Sequence, residues 1–140
     1  LRRGAYADRM IELADGDARI FLLPATLQVK AFMEACDAVV CPFRQPHAAK
    51  AALEAQSVGK PVVLYDNAEA REYVDDGKTG LLCRCGDVKA LASGLDFLAG
   101  EPDQARAMAS KGRSFVEREF HPERSMTILH DVLVPDHYAS

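Results

Sequence analysis

The residues able to do chemistry in this chain gather between Cys41 and Asp66. An unusual loop, Cys41-Pro42-Phe43-Arg44-Gln45-Pro46-His47-Ala48-Ala49-Lys50, feeds a helical segment in which Glu54 interrupts Ala51, Ala52, Leu53 and Ala55. The first amides of a helix, here near His47 to Lys50, lack intrahelical acceptors and favour a phosphate or other anion. Arg44, His47 and Lys50 would add positive charge there, with the Ala49 amide among them. Glu54 follows four to seven residues into the helix, roughly 6–10 Å along it at about 1.5 Å per residue. That separation suits a nucleotide whose phosphates meet the helix start while its ribose hydroxyls meet a carboxylate, a good acceptor for paired hydroxyls. The competing reading is local: Glu54 pairs with Lys50 one turn back, or with Lys60, and satisfies itself. A charge set among small apolar residues needs one partner or the other.

Positioning these groups falls to an alternation of short apolar runs and helical patterns. A helix from about Gly4 to Ala14 ends at the Asp15-Gly16-Asp17 turn, and Arg19 to Leu23 reads as a strand. Thr26 to Cys36 places Leu27, Ala31, Phe32 and Ala35 at helical spacing, and Ala38 to Cys41 is the next strand, stopped by Pro42. A helix from about His47 to Val58 turns through Gly59-Lys60-Pro61 into the strand Pro61 to Tyr65. A short helix around Glu69 to Val74 and a turn from Asp75 to Gly80 precede a fourth strand, Gly80 to Cys83. Beyond Gly86 and Asp87 the pattern is helical, with one stripe of Val88, Leu91, Leu95 and Leu98. A second stripe of Ala105, Met108, Phe115 and Val116 lies behind Pro102, and a last helix runs from about Pro122 to Val134.

Strands buried on both faces and alternating with helices imply an α/β fold: a doubly wound, Rossmann-like parallel sheet with C-terminal helices. In such sheets ligands bind beyond the carboxyl ends of the strands. Leu23 to Ala25, Pro42 to Lys50 and Asp66 to Arg71 are therefore expected at one edge. There Asp66-Asn67 either meets the ligand or caps the next helix.

Composition excludes several classes. With 140 residues, 49% hydrophobic and 27% charged, the chain is long enough for one core. A net charge of −4 argues against bulk nucleic-acid binding, which leaves a basic stripe. No apolar run is long enough to span a bilayer, and the first residues lack the apolar core of a signal peptide. Peripheral membrane contact stays open. The chain opens at Leu1, as a fragment, a processed product or part of something longer would. Cys36, Cys41, Cys83 and Cys85 have no metal-ligand spacing and read as reduced thiols, mostly buried near strand ends, in a cytoplasmic setting. His121, His130 and His137 have no cysteine or carboxylate in ligand spacing, so no metal or cofactor is implied. Neither a Ser-His-Asp arrangement nor a Walker-type loop is present.

Two motifs at matching separation carry a family resemblance: Glu54-Ala55 with Gly59-Lys60-Pro61-Val62-Val63, then Glu72 with Gly77-Lys78-Thr79-Gly80-Leu81-Leu82. From about Gly4 to Phe120 the chain resembles the C-terminal, donor-binding half of the group 1 family of retaining GT-B glycosyltransferases. The resemblance implies that Glu54, as the second Glu of the family's Glu-x7-Glu pair, holds the donor ribose. It also implies that the strand end at Leu22, Leu23 and Pro24 borders the base, although the family's usual Gly is absent. Where the family has its first Glu, which contacts the transferred sugar, this chain has Pro46; Phe43 replaces the family Ser, and Ala48-Ala49 replace its Phe-Gly. Losing that Glu removes an acceptor for sugar hydroxyls, and Arg44, Gln45 or His47 then face the sugar, an anionic one among the options. Glu72 matches a family Glu for which a structural role competes with ligand contact.

The resemblance further implies a partial domain over residues 1–120, with residues 121–140 a C-terminal helix and tail. The partners implied are a nucleotide-sugar donor and a glycan, lipid or small-molecule acceptor. The acceptor domain and the basic pair for the diphosphate would lie upstream, so this stretch alone would not turn over. Catalytic residues are unassigned; the substrate-binding set is Glu54, Lys50, Ala49, His47, Arg44 and Leu23. A non-catalytic glycosyltransferase-like binding or regulatory module is the second reading, supported by Pro46. The third is an unrelated doubly wound ligand-binding or receiver domain, against which the helices after Cys83 weigh.

Overall fold

The computed structural model describes residues 4–45 and 50–133. Its core is a parallel three-stranded sheet ordered β1 (Val39–Cys41), β2 (Val62–Asp66), β3 (Leu81–Arg84). Val39 pairs with Val62, and Val63 with Leu81, so β2 is central. A central parallel strand is covered on both faces, which explains the unbroken apolar run Val62-Val63-Leu64-Tyr65, all buried. Val62 and Leu64 face one layer with Cys41, Ala52, Ala55, Ala70 and Val74. Val63 and Tyr65 face the other with Cys83, Leu91, Leu98, Ala105 and Met108.

The first layer is built by α2 (Val29–Ala35), α3 (Lys50–Ser57) and α4 (Ala70–Tyr73), the second by α5 (Val88–Gly100) and α6 (Pro102–Glu119). Helix ends follow the sequence signals. Gly59 at φ +72° closes α3, with its N–H on Gln56 O and the Lys60 N–H on Ala55 O, both at 2.9 Å; glycine takes that left-handed conformation without steric penalty. Asp87 caps α5 through its side chain, accepting from the Ala90 amide at 3.0 Å, and Pro102 opens α6. Helices α1 (Ala5–Ala14) and α7 (Pro122–Leu133) bury none of their residues.

Several expectations need correction. Arg19 to Leu23 is not a strand: among the described residues the sheet has three strands, and residues 20–26 form no ladder. A strand exists only through a paired neighbour, and here Arg19 is instead drawn into a local turn. Its guanidinium and amide donate to the Asp17 carboxylate, and Phe21 is left 79% exposed. Helix α2 begins three residues later than the spacing suggests, with Thr26 Oγ1 accepting from the Gln28 amide ahead of it. Its buried side chain is Met33, while Leu27 and Phe32 are exposed. In α5, Leu91 and Leu98 are buried but Val88 and Leu95 of the expected stripe are exposed. Of the four thiols, all free, only Cys41 and Cys83 are buried; Cys85 is exposed.

Candidate functional site

The carboxyl ends of the strands carry the loops expected to meet a ligand, and local hydrogen bonds fix them. Asn67, just after β2, donates through Nδ2 to Phe43 O at 3.1 Å and Gln45 O at 3.5 Å, tethering the loop that leaves β1. Its Oδ1 accepts from the Glu69 and Ala70 amides at 3.1 and 3.0 Å and caps α4. The cap is thus the role Asn67 fills. Asp66 is occupied as well: it pairs with Arg71, whose guanidinium it holds above its ordinary pKa. Arg44 accepts from Cys85 Sγ through its backbone oxygen at 3.6 Å, and its side chain lies over Gly86. Arg44 therefore turns toward the β3 side of the sheet.

Glu54 does not sit on the apolar face of its helix. The buried face of α3 is Ala52, Ala55 and Gln56, and Glu54 is exposed on the other side. The premise that a charge among small residues must be compensated fails here, because water solvates this carboxylate. Its side chain nevertheless makes no hydrogen bond or ion pair among the described residues, with Lys50, Lys60 or any other group. It lines an open cavity of about 540 Å³ between α2 and α3, together with Thr26, Leu27, Lys30 and Ser57. Leu27 contributes a fully exposed aliphatic surface. Lys30 is engaged at 3.6 Å with Glu34, one helical turn on. The cavity thus offers an unengaged carboxylate acceptor beside an apolar wall, a combination suited to vicinal hydroxyls attached to a flat or apolar group.

The remaining sequence-predicted residues are dispersed. Leu23 and Lys50 are exposed and outside this lining. Arg44 is directed elsewhere, as described. His47 and Ala49, with Pro46 and Ala48, lie outside the described residues, so the amides at the start of α3 have no geometry to report. Glu72 is an exposed residue of α4.

Two buried thiols are not nucleophiles. Burial pushes Cys41 up to about 11, and Cys83 is raised by burial first and then by Asp76 and Asp87. Both stay protonated at neutral pH, whereas nucleophilic and metal-binding cysteines act as thiolates. Among the described residues no group of three histidine, cysteine or acidic side chains is placed to hold a metal, and no helix is long and apolar enough to cross a membrane.

Sequence reasoning missed Gln56. It is fully buried and donates through Nε2 to Tyr73 O at 3.0 Å, joining α3 to the end of α4, while its Oε1 has no partner. The signal was available: position 56 lies four residues after Ala52, on the buried side of α3. A polar side chain there must find an acceptor inside the protein.

Comparison with known proteins adds to this geometry. The family described as "Glycosyl transferases group 1" matches residues 5–115. A D-inositol 3-phosphate glycosyltransferase from Stackebrandtia nassauensis is 38% identical over 104 residues, covering 73% of this chain and 24% of that protein. The chain spans between 16% and 24% of the length of the curated relatives it matches. Among solved structures, sucrose-phosphate synthase from Thermosynechococcus elongatus superposes with a TM-score of 0.83 at 26% identity, over 94% of this chain and 35% of that one. Anabaena HepE in complex with UDP and glucose superposes with a TM-score of 0.83 at 22% identity, over 91% and 35%. The Rossmann-like α/β architecture of GT-B glycosyltransferases is shared with both.

Proposed function

Because the chain belongs to the group 1 family of glycosyl transferases, we propose that it is the donor-binding part of a retaining glycosyltransferase. Joined to an acceptor-binding domain, it would pass a sugar from a nucleoside diphosphate donor to a glycan, lipid or small-molecule acceptor in the cytoplasm. The donor-binding unit occupies residues 1–120 and the C-terminal helix and tail residues 121–140; this stretch alone does not turn over. The observation that carries the reading is Glu54, a carboxylate unengaged among the described residues, lining a cavity beside the bare aliphatic surface of Leu27. In the proposed complex Glu54 accepts from both ribose hydroxyls while the base lies against Leu27, near the chain that leaves Leu23. Lys50, the amide of Ala49 and His47 then serve the diphosphate and sugar, joined by Arg44 once its side chain swings away from Gly86. Electrostatic stabilisation of the departing diphosphate is the main catalytic service such a site supplies. HepE supports the reading at the level of fold, since a related architecture holds UDP and glucose there; it assigns neither base nor sugar to this chain.

Pro46, which replaces a carboxylate acceptor for the sugar, favours a second reading: a glycosyltransferase-like module that binds or regulates without transferring sugar. Titration calorimetry of the protein against nucleoside diphosphates and their sugars separates the two. Saturable binding weakened by Glu54→Ala about 10- to 100-fold, the loss expected for hydrogen bonds to a charged group, supports the donor site. Heat-silent titrations across the whole panel support the non-catalytic module.

A further inference from the structure

A cavity larger than that of Glu54 lies at the amino ends of β1 and β2. It is open, measures about 750 Å³, and is formed where the chain enters β1 and β2, against the end of α5 and one face of α6. Its floor is apolar, from Pro61, Leu98, Ala105 and Ala109. Its rim carries three cations, Lys60, Arg106 and Arg113, against a single carboxylate, Asp37. That concentration of positive charge stands out on a chain whose net charge is −4.

Lys60 is the anchor of this set. Its backbone is pinned by the amide bond to Ala55 O at 2.9 Å in the turn after α3, and its side chain has no hydrogen bond or ion pair among the described residues. Arg106 and Arg113 each hold a carboxylate on their own helix, Asp103 and Glu117, but neither carboxylate lines the cavity. Exposed pairs one helical turn apart are weak and screened by water, so both guanidinium groups can be redirected at small cost. The volume falls within the range of small-molecule sites, roughly 300–1,000 Å³. An apolar floor under a cationic rim selects a ligand with an apolar body and an anionic head.

We propose that this cavity is a second ligand site, separate from that of Glu54, and that it takes a small phosphorylated molecule with an apolar portion. The anionic head meets Lys60, Arg106 and Arg113, and the apolar body lies along Leu98 and Ala109. The proposal does not depend on the donor-site reading. The test is an amide NMR titration of the protein with phenyl phosphate, with inorganic phosphate and benzyl alcohol as the anion-only and apolar-only probes. Phenyl phosphate should move the amides of Gly59, Lys60 and Ser110 saturably and bind more tightly than either probe. The double variant Lys60→Gln, Arg113→Gln should weaken it by about tenfold or more, with the remaining spectrum unchanged as evidence of folding. Shifts scattered over unrelated surface cations, a phenyl phosphate response equal to that of inorganic phosphate, or an affinity untouched by the double variant would each overturn it.

Discussion

Two stretches of this chain carry apolar side chains at regular spacing and end in opposite states. From β1 to α6 the apolar positions interlock, with Val62 and Val63 wholly buried and Leu64 and Tyr65 nearly so. From α1 to Leu27 they bury nothing, and Ile20, Phe21, Leu22 and Leu23 lie open. Local pattern is similar in both; what differs is a second layer. A buried valine or leucine contributes about 1.5–3 kcal/mol only when another element removes it from water. The sheet has such elements on both faces, whereas residues 20–26 have no paired neighbour among the described residues. Glu54 lies at the border between the two stretches. One wall of its cavity is α3, which is part of the packed core, and the other is Thr26 to Lys30, which is largely unpacked.

The contrast can be broken at its strongest point. Val63→Asp would place an unpaired carboxylate at a fully buried position between β2 and α5, where the penalty exceeds about 4 kcal/mol. Loss of the cooperative urea transition is expected. Gly112→Ala tests the crossing of α6 over α3. A Cβ there would stand 2.9 Å from Gln56 Oε1 and 3.0 Å from the backbone oxygen of Thr79. An exposed helical glycine gains about 0.5–1 kcal/mol on becoming alanine, but this one should lose about 2–3 kcal/mol by urea unfolding through overpacking.

A smaller effect sharpens the comparison through pH. Below the ordinary thiol value of 9.0, Cys41 is protonated in both folded and unfolded chains and contributes no slope. Between that value and about 11 the unfolded chain ionises first and binds fewer protons, so stability falls as pH rises. The expected loss is about 1–2 kcal/mol over that window, and Cys41→Val should flatten that part of the profile. Phe21→Asp closes the series. The charge that destroys the core at position 63 should change stability by no more than about 0.5 kcal/mol here, because Phe21 is already in water.

How much was legible in the sequence divides along the same border. The central strand, the Gly59 turn, the Asp87 cap and Pro102 at the start of α6 each carry a local signal that tertiary structure does not override. The Arg19 to Leu23 run has the composition of a strand, but its fate is decided by a partner the local sequence cannot supply. Glu54, set among small apolar residues, reads as a charge in need of a partner or ligand yet is exposed to water, because a helix of small residues does not reveal which of its faces turns inward. The polar signal for the buried face was Gln56, two positions later. Thr26 and Leu27, which complete the cavity, carry no chemistry-bearing residue type and become visible only when α2 and α3 meet.

Glu54 is proposed to accept the paired ribose hydroxyls of a nucleoside diphosphate. The most direct measurement is calorimetric binding of a ribonucleoside diphosphate and its 2′-deoxy form to the protein and to Glu54→Gln. The unaltered protein should prefer the ribose form by about tenfold, as loss of one hydrogen bond to a charged group implies, and this preference should disappear in Glu54→Gln. An equal preference in both proteins would contradict it, since the 2′-hydroxyl would then be read by some other group.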